Sequence, residues 1–174
     1  MESTKPDGFH AMPPEVNIRS THCLLARTLA GCAHCHRSTP MFAIVVPPQH
    51  LTRDLDGAPD EDVTPPTWSS AAGHAFLFYI EFLPPAQAAR LALLAPTYRC
   101  VSGQGPDSRW INHCERCGAP SDDEALFCEP GGAFLPVNAA AAGRIDLLIL
   151  DGAFEACAGG YAPEPAFFAA IRGA

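Results

Sequence analysis

The sequence predicts an α+β fold: an antiparallel, β-rich domain with one or two packed helices. Three observations predict it. Apolar runs rich in β-branched and aromatic residues recur at 41–46, 74–83 and 144–150. One segment rich in Ala and Leu, 86–94, follows Pro84-Pro85, which suits a helix start. Two Cys-x-x-Cys pairs, Cys32/Cys35 and Cys114/Cys117, end strand-like segments and read as tight hairpin turns. The chain has 174 residues, enough for one domain with its own core. Its 18 prolines and 14 glycines imply many loops.

The elements follow in order. Residues 1–22 are polar, contain Pro and have no period, and read as a flexible N-terminal arm. Residues 23–174 then form a single domain. Residues 22–29 suit a strand, the first cysteine pair a turn, and 41–46 a strand ended by Pro47-Pro48. Strand, knuckle and strand make a hairpin. Residues 47–72 form an acidic, Pro-rich loop carrying Asp54, Asp56, Asp60, Glu61 and Asp62. Such a segment buries too little apolar surface to offset its ordering entropy, and reads as solvated and mobile. A strand buried on both faces is expected at 74–83, then a helix to Leu94, stopped by Pro96. Residues 97–102 suit a strand, 103–107 a turn, and 108–113 a strand running into the second pair. Segments 125–128 and 133–137 flank a Glu-Pro-Gly-Gly turn. Residues 139–142 are helix or loop, and 144–150 a strand. A Gly-rich loop follows, then a helix at 164–172 with Phe167, Phe168 and Ile171 on one face.

The formal charge is −8, from 11 basic and 19 acidic residues, and Lys5 is the only lysine. An acidic surface repels phosphate, which argues against nucleic acid and toward a basic protein partner. No apolar run reaches the ~18 residues a membrane span needs, and the N-terminus carries no signal-like apolar stretch. The chain therefore reads as soluble and cytoplasmic. Eight cysteines in that setting point to metal or thiol chemistry rather than disulfides.

Two residues between cysteines let one turn place both sulfurs on one ion, with backbone N–H groups aimed at the thiolates. Gly118, just after Cys117, suits the left-handed residue such a turn needs. Two knuckles close one tetrahedral site, with Cys32, Cys35, Cys114 and Cys117 holding one Zn2+ between zinc-ribbon-type hairpins. The pairs lie 78 residues apart, against roughly 15–20 in compact zinc modules. Long insertions add little closure entropy, so the assignment stands. Iron uses the same four sulfurs. His34, His36 and His113 lie beside the cysteines and could replace a sulfur; they read instead as solvent-facing or supporting residues. Cys32-Ala33-His34-Cys35-His36 also matches a haem-attachment pattern, but attachment requires export. A redox dithiol requires a helix start, which neither pair has. Cys23, Cys100, Cys128 and Cys157 stand singly and read as core residues. Cys128 has no local base to make it a nucleophile.

Cys32, Cys35, Thr39 and Pro40, then Trp110, Asn112, Cys114, Cys117 and Gly118, with the 128–134 stretch, resemble a group of uncharacterised bacterial zinc-ribbon-like proteins. The resemblance covers roughly residues 25 to 137 and implies a metal-binding fold but no reaction. Together these features support a non-enzymatic protein with a structural zinc, acting by binding another protein. An immunity- or antitoxin-like inhibitor of a basic toxin is one form of that reading. Two alternatives remain. A nucleic-acid-binding zinc ribbon would use Arg37, Arg109, Trp110 and Arg116 around the knuckles. A zinc-dependent enzyme would hold the metal by three ligands and a water, with a carboxylate such as Glu115 converging on it.

Overall fold

A computed structural model describes residues 15–53, 67–101 and 108–173. In chain order the elements are β1 (Ile18–Gly31), β2 (Ser38–Val46), β3 (Leu51–Thr52), β4 (Ser69–Ser70) and β5 (Ala75–Phe82). Then come α1 (Pro85–Leu94), β6 (Tyr98–Val101), β7 (Arg109–Asn112), α2 (Asp123–Phe127), α3 (Ala139–Ala142) and β8 (Asp146–Pro163). A 3-10 turn at Phe168–Ala170 follows. The architecture is α+β and mostly antiparallel sheet, as the sequence predicts. The N-terminal residues 1–14, the acidic stretch 54–66 and the expected turn at 103–107 lie outside the described residues. Among the described residues, no helix is long and apolar enough to cross a membrane.

Four strands close a ring through antiparallel pairings: β1 with β2, β2 with β5, β5 with β8, and β8 with β1. Alternate residues of these strands feed two apolar clusters on opposite faces, as the period of two requires. On β2, Phe42, Ile44 and Val46 join one cluster; Met41, Ala43 and Val45 join the other. The first cluster is capped by Leu91 of α1 with Tyr98 and Trp110 of the β6–β7 hairpin. The second is covered by Leu126 and Phe127 of α2, with Phe134, Ala142, Phe168 and Ile171. Burial on both faces explains why β2 and β5 read as continuous apolar runs. Within β5, Tyr79 has φ 49 and the pairing to β8 slips after Ile80. This local break in alternation returns Ile80 to the first cluster.

Four expectations change. The segment 47–72 that reads as a solvated loop holds β3 and β4, which pair with each other, and His50 within it is buried. β1 begins at Ile18, inside the segment 1–22 that reads as an arm. Ile18 is buried while Arg19 faces out, and both pair with β8. The Gly-rich stretch after Leu150 is not a loop; β8 runs through it. Gly152, at φ 103, sits where the β1–β8 register slips between Ser20 and His22, so it marks a bulge. Gly160 lies against the Phe78 ring, where a Cβ would collide. The expected helix at 164–172 is only the short 3-10 turn. There the backbone of Arg172 bonds to Ile145 and Leu147 instead of continuing a helix. Phe168 and Ile171 are buried as expected.

Candidate metal centre

The first cysteine pair occupies the tip of the β1–β2 hairpin, and the second follows β7. Their backbones are near copies. Cys32 N–H donates to the Arg37 carbonyl (2.9 Å) and His36 N–H to the Cys32 carbonyl (2.9 Å). Cys114 N–H donates to the Ala119 carbonyl (2.8 Å) and Gly118 N–H to the Cys114 carbonyl (2.9 Å). Each turn needs a left-handed residue after its second cysteine. Gly118 supplies it at φ 72, as its sequence position suggests, and His36 at φ 57. His36 bears strain there that Gly118 avoids.

The two turns face each other. The four sulfurs of Cys32, Cys35, Cys114 and Cys117 all lie within 4.8 Å of one another. Cys32 Sγ is 3.7 Å from Cys117 Sγ, and Cys35 Sγ is 3.7 Å from Cys114 Sγ. These separations far exceed a disulfide of about 2.05 Å. They match the edge of a tetrahedron with metal–sulfur bonds of about 2.3 Å, which is about 3.8 Å. The four-cysteine group could hold a metal ion.

The electrostatics agree. The Cys114 thiol is held down to about 6, first by the N–H of Cys117, with help from that of Arg116. Cys32 is lowered by the N–H groups of Cys35 and His34. Cys117 also receives the N–H of Ala119, yet burial and the three neighbouring sulfurs push it up to about 12. Without a cation, four thiolates this close cannot all carry charge. A bound cation allows it, and binding releases protons.

Two side chains that the sequence does not single out for a role bring the turns together. Asn112 is fully buried and bridges β2: Phe42 N–H donates to Asn112 Oδ1, and Asn112 Nδ2 donates to the Phe42 carbonyl, both at 2.8 Å. Thr39, also fully buried, accepts the N–H of Glu115 at Oγ1 (3.0 Å). Asn112 precedes the second cysteine turn in the chain and Thr39 follows the first. Their partners are 70 and 76 residues away, so no local signal gives their role.

The other candidates fall outside the cluster. His34 and His36 are exposed. His113 is buried with Nδ1 2.9 Å from the Ile111 carbonyl, and its ring is not among the grouped ligands. Cys23 and Cys157 are buried as expected, and burial pushes the Cys23 thiol up to about 12. Cys100 and Cys128 are exposed, not core residues. Neither cysteine pair begins a helix. Trp110 is buried against Tyr98, so it offers no face for base stacking. Arg109 lies over the Tyr79 ring and Arg116 pairs with Glu115 at 3.6 Å. No family model, curated protein or solved structure matches the chain.

Proposed function

We propose that Cys32, Cys35, Cys114 and Cys117 hold one Zn2+ as a closed structural site between zinc-ribbon-type turns, and that the protein acts by binding another protein rather than by catalysis. The observation that carries this is the grouping of four sulfurs from two separate turns within 4.8 Å of one another, with two of the separations at tetrahedral edge length. A site filled by four thiolates keeps no open position for water, which supports a non-enzymatic reading. Its energetic role is folding: the ion ties the segment after β7 to the β1–β2 hairpin. Four thiolates and one Zn2+ add −2 to the formal −8, which favours a basic partner surface, as in an immunity- or antitoxin-like inhibitor. Free thiols at this density suit the reducing cytoplasm.

Elemental analysis of the untagged chain beside a Cys32→Ser, Cys117→Ser double variant tests the metal. One zinc per chain, lost together with the folded state in the variant, is expected. A metal-free chain, or a variant that folds normally, would overturn the proposal. Iron instead of zinc would appear as visible charge-transfer absorption.

A further inference from the structure

Three of the chain's eleven basic residues converge away from the cysteines. Arg27 on β1, Arg144 just before β8 and Arg172 beyond the 3-10 turn line an open cleft of about 360 Å³ with Asp146. The backbone fixes this grouping. Arg27 and Asp146 are register partners of β1 and β8. Thr28 Oγ1 donates to the Arg144 carbonyl (3.2 Å), and Asp146 bridges to Arg172 in parallel register.

Charge in the cleft opposes that of the chain. Asp146 is committed to Arg172, with Oδ1 2.8 Å from Nε and Oδ2 3.3 Å from Nη2. Among the described residues, no carboxylate forms an ion pair with Arg27 or Arg144. Three guanidiniums therefore meet one carboxylate on a protein of formal charge −8. A second hollow of about 240 Å³ shares Arg27 and Asp146 and continues over Leu94, Leu147 and Leu148. Leu94 and Leu148 are 40% and 51% exposed, so its apolar wall is open.

We propose that this groove binds a small amphiphilic oxyanion: a carboxylate or phosphate ester on the forks of Arg27 and Arg144, with its apolar body on Leu94 and Leu148. Guanidinium forks match such oxyanions in geometry as well as charge. Both hollows lie near or within the size range of ligand sites.

Calorimetry on the full chain tests it, with decyl phosphate and decanoate below their micelle concentrations. Inorganic phosphate and decyltrimethylammonium serve as comparators. Both amphiphilic anions should bind about tenfold or more tightly than inorganic phosphate, and the cation should not bind. Arg27→Gln and Arg144→Gln should each weaken decyl phosphate about tenfold or more, the effect of a lost charged hydrogen bond. Leu148→Ser should weaken decyl phosphate but not inorganic phosphate. Equal binding of the cation, inorganic phosphate as tight as decyl phosphate, or unchanged affinity in Arg27→Gln would overturn the proposal. So would binding to anionic vesicles without binding of the monomeric anions. The ligand series on the unaltered chain decides the matter even where a variant does not fold.

Discussion

Replacing Asn112 by Ala removes the side chain that joins the second cysteine turn to β2. Asn112 makes two hydrogen bonds to the backbone of Phe42, both at 2.8 Å, and the site is closed to water. β5 covers that edge of β2 only from Ile44 onward, so Phe42 has no strand partner there. Asn112 does that work with a side chain. Ala leaves a buried N–H and a buried carbonyl unpaired. At about 1–3 kcal/mol for each orphaned group, the loss is about 2–6 kcal/mol. This is a large part of the roughly 5–15 kcal/mol that holds a domain folded. With a urea m-value of about 2 kcal/mol/M, a loss of about 3 kcal/mol moves the midpoint by about 1.5 M. The assay is urea unfolding at fixed excess zinc, so that metal linkage is equal for both proteins. A loss below about 1 kcal/mol would refute the reasoning, because it would mean water or another group satisfies Phe42.

Other outcomes follow from single features. Gly118→Ala should lose about 1–2 kcal/mol in the same assay while keeping its metal, because φ is 72 there and an added Cβ meets nothing within 4 Å. Gly132→Ala should lose more than Gly118→Ala, because its Cβ would collide with the backbone carbonyls of Ala125 and Leu126, which cannot swing aside. His50 is buried, with Nδ1 2.7 Å from the Pro47 carbonyl and Nε2 2.9 Å from Tyr161 Oη, and burial lowers its pKa below 6.5. The unfolded chain therefore takes up a proton first as pH falls, so stability is full above about 6.5 and declines below it. Urea midpoints from pH 7.5 to 5 should fall less in His50→Gln than in the unaltered chain.

The cysteine turns are legible in the sequence because their logic is local. Two residues between cysteines and Gly118 behind the second pair specify a turn, and the structure builds it twice. The strand at 75–82 and the helix at 85–94 are legible for the same reason, one as a continuous apolar run and the other as an Ala- and Leu-rich segment with Pro punctuation. What escapes depends on distant partners. Glycine in the stretch after Leu150 reads as loop, yet Gly152 serves a bulge and Gly160 gives room to Phe78 from another strand. Ile18 looks like part of a polar arm until its neighbours on β3 and β8 are in place. Cys100 and Cys128 carry the same composition signal as Cys23 and Cys157, but only the latter pair is buried. Trp110 sits beside Arg109 in sequence and is buried in space.

The same edge of β2 is where an ion held by the four cysteines would act on the fold. From Ser38 to Ala43, β2 pairs with β1 on one side, and β5 does not reach it on the other. An open edge of this kind invites pairing with another chain. The segment after β6 covers it with Asn112 at Phe42 and the Glu115 N–H at Thr39, a sparse set of bonds for the length of chain involved. Strands gain cooperativity from a continuous ladder; this cover has none. Four thiolates on one ion would supply the missing constraint at the far end of the cover, beyond Thr39, where the β1–β2 hairpin turns. The cysteines and Asn112 would then act as one device, in which a bound ion locks the position that Asn112 sets.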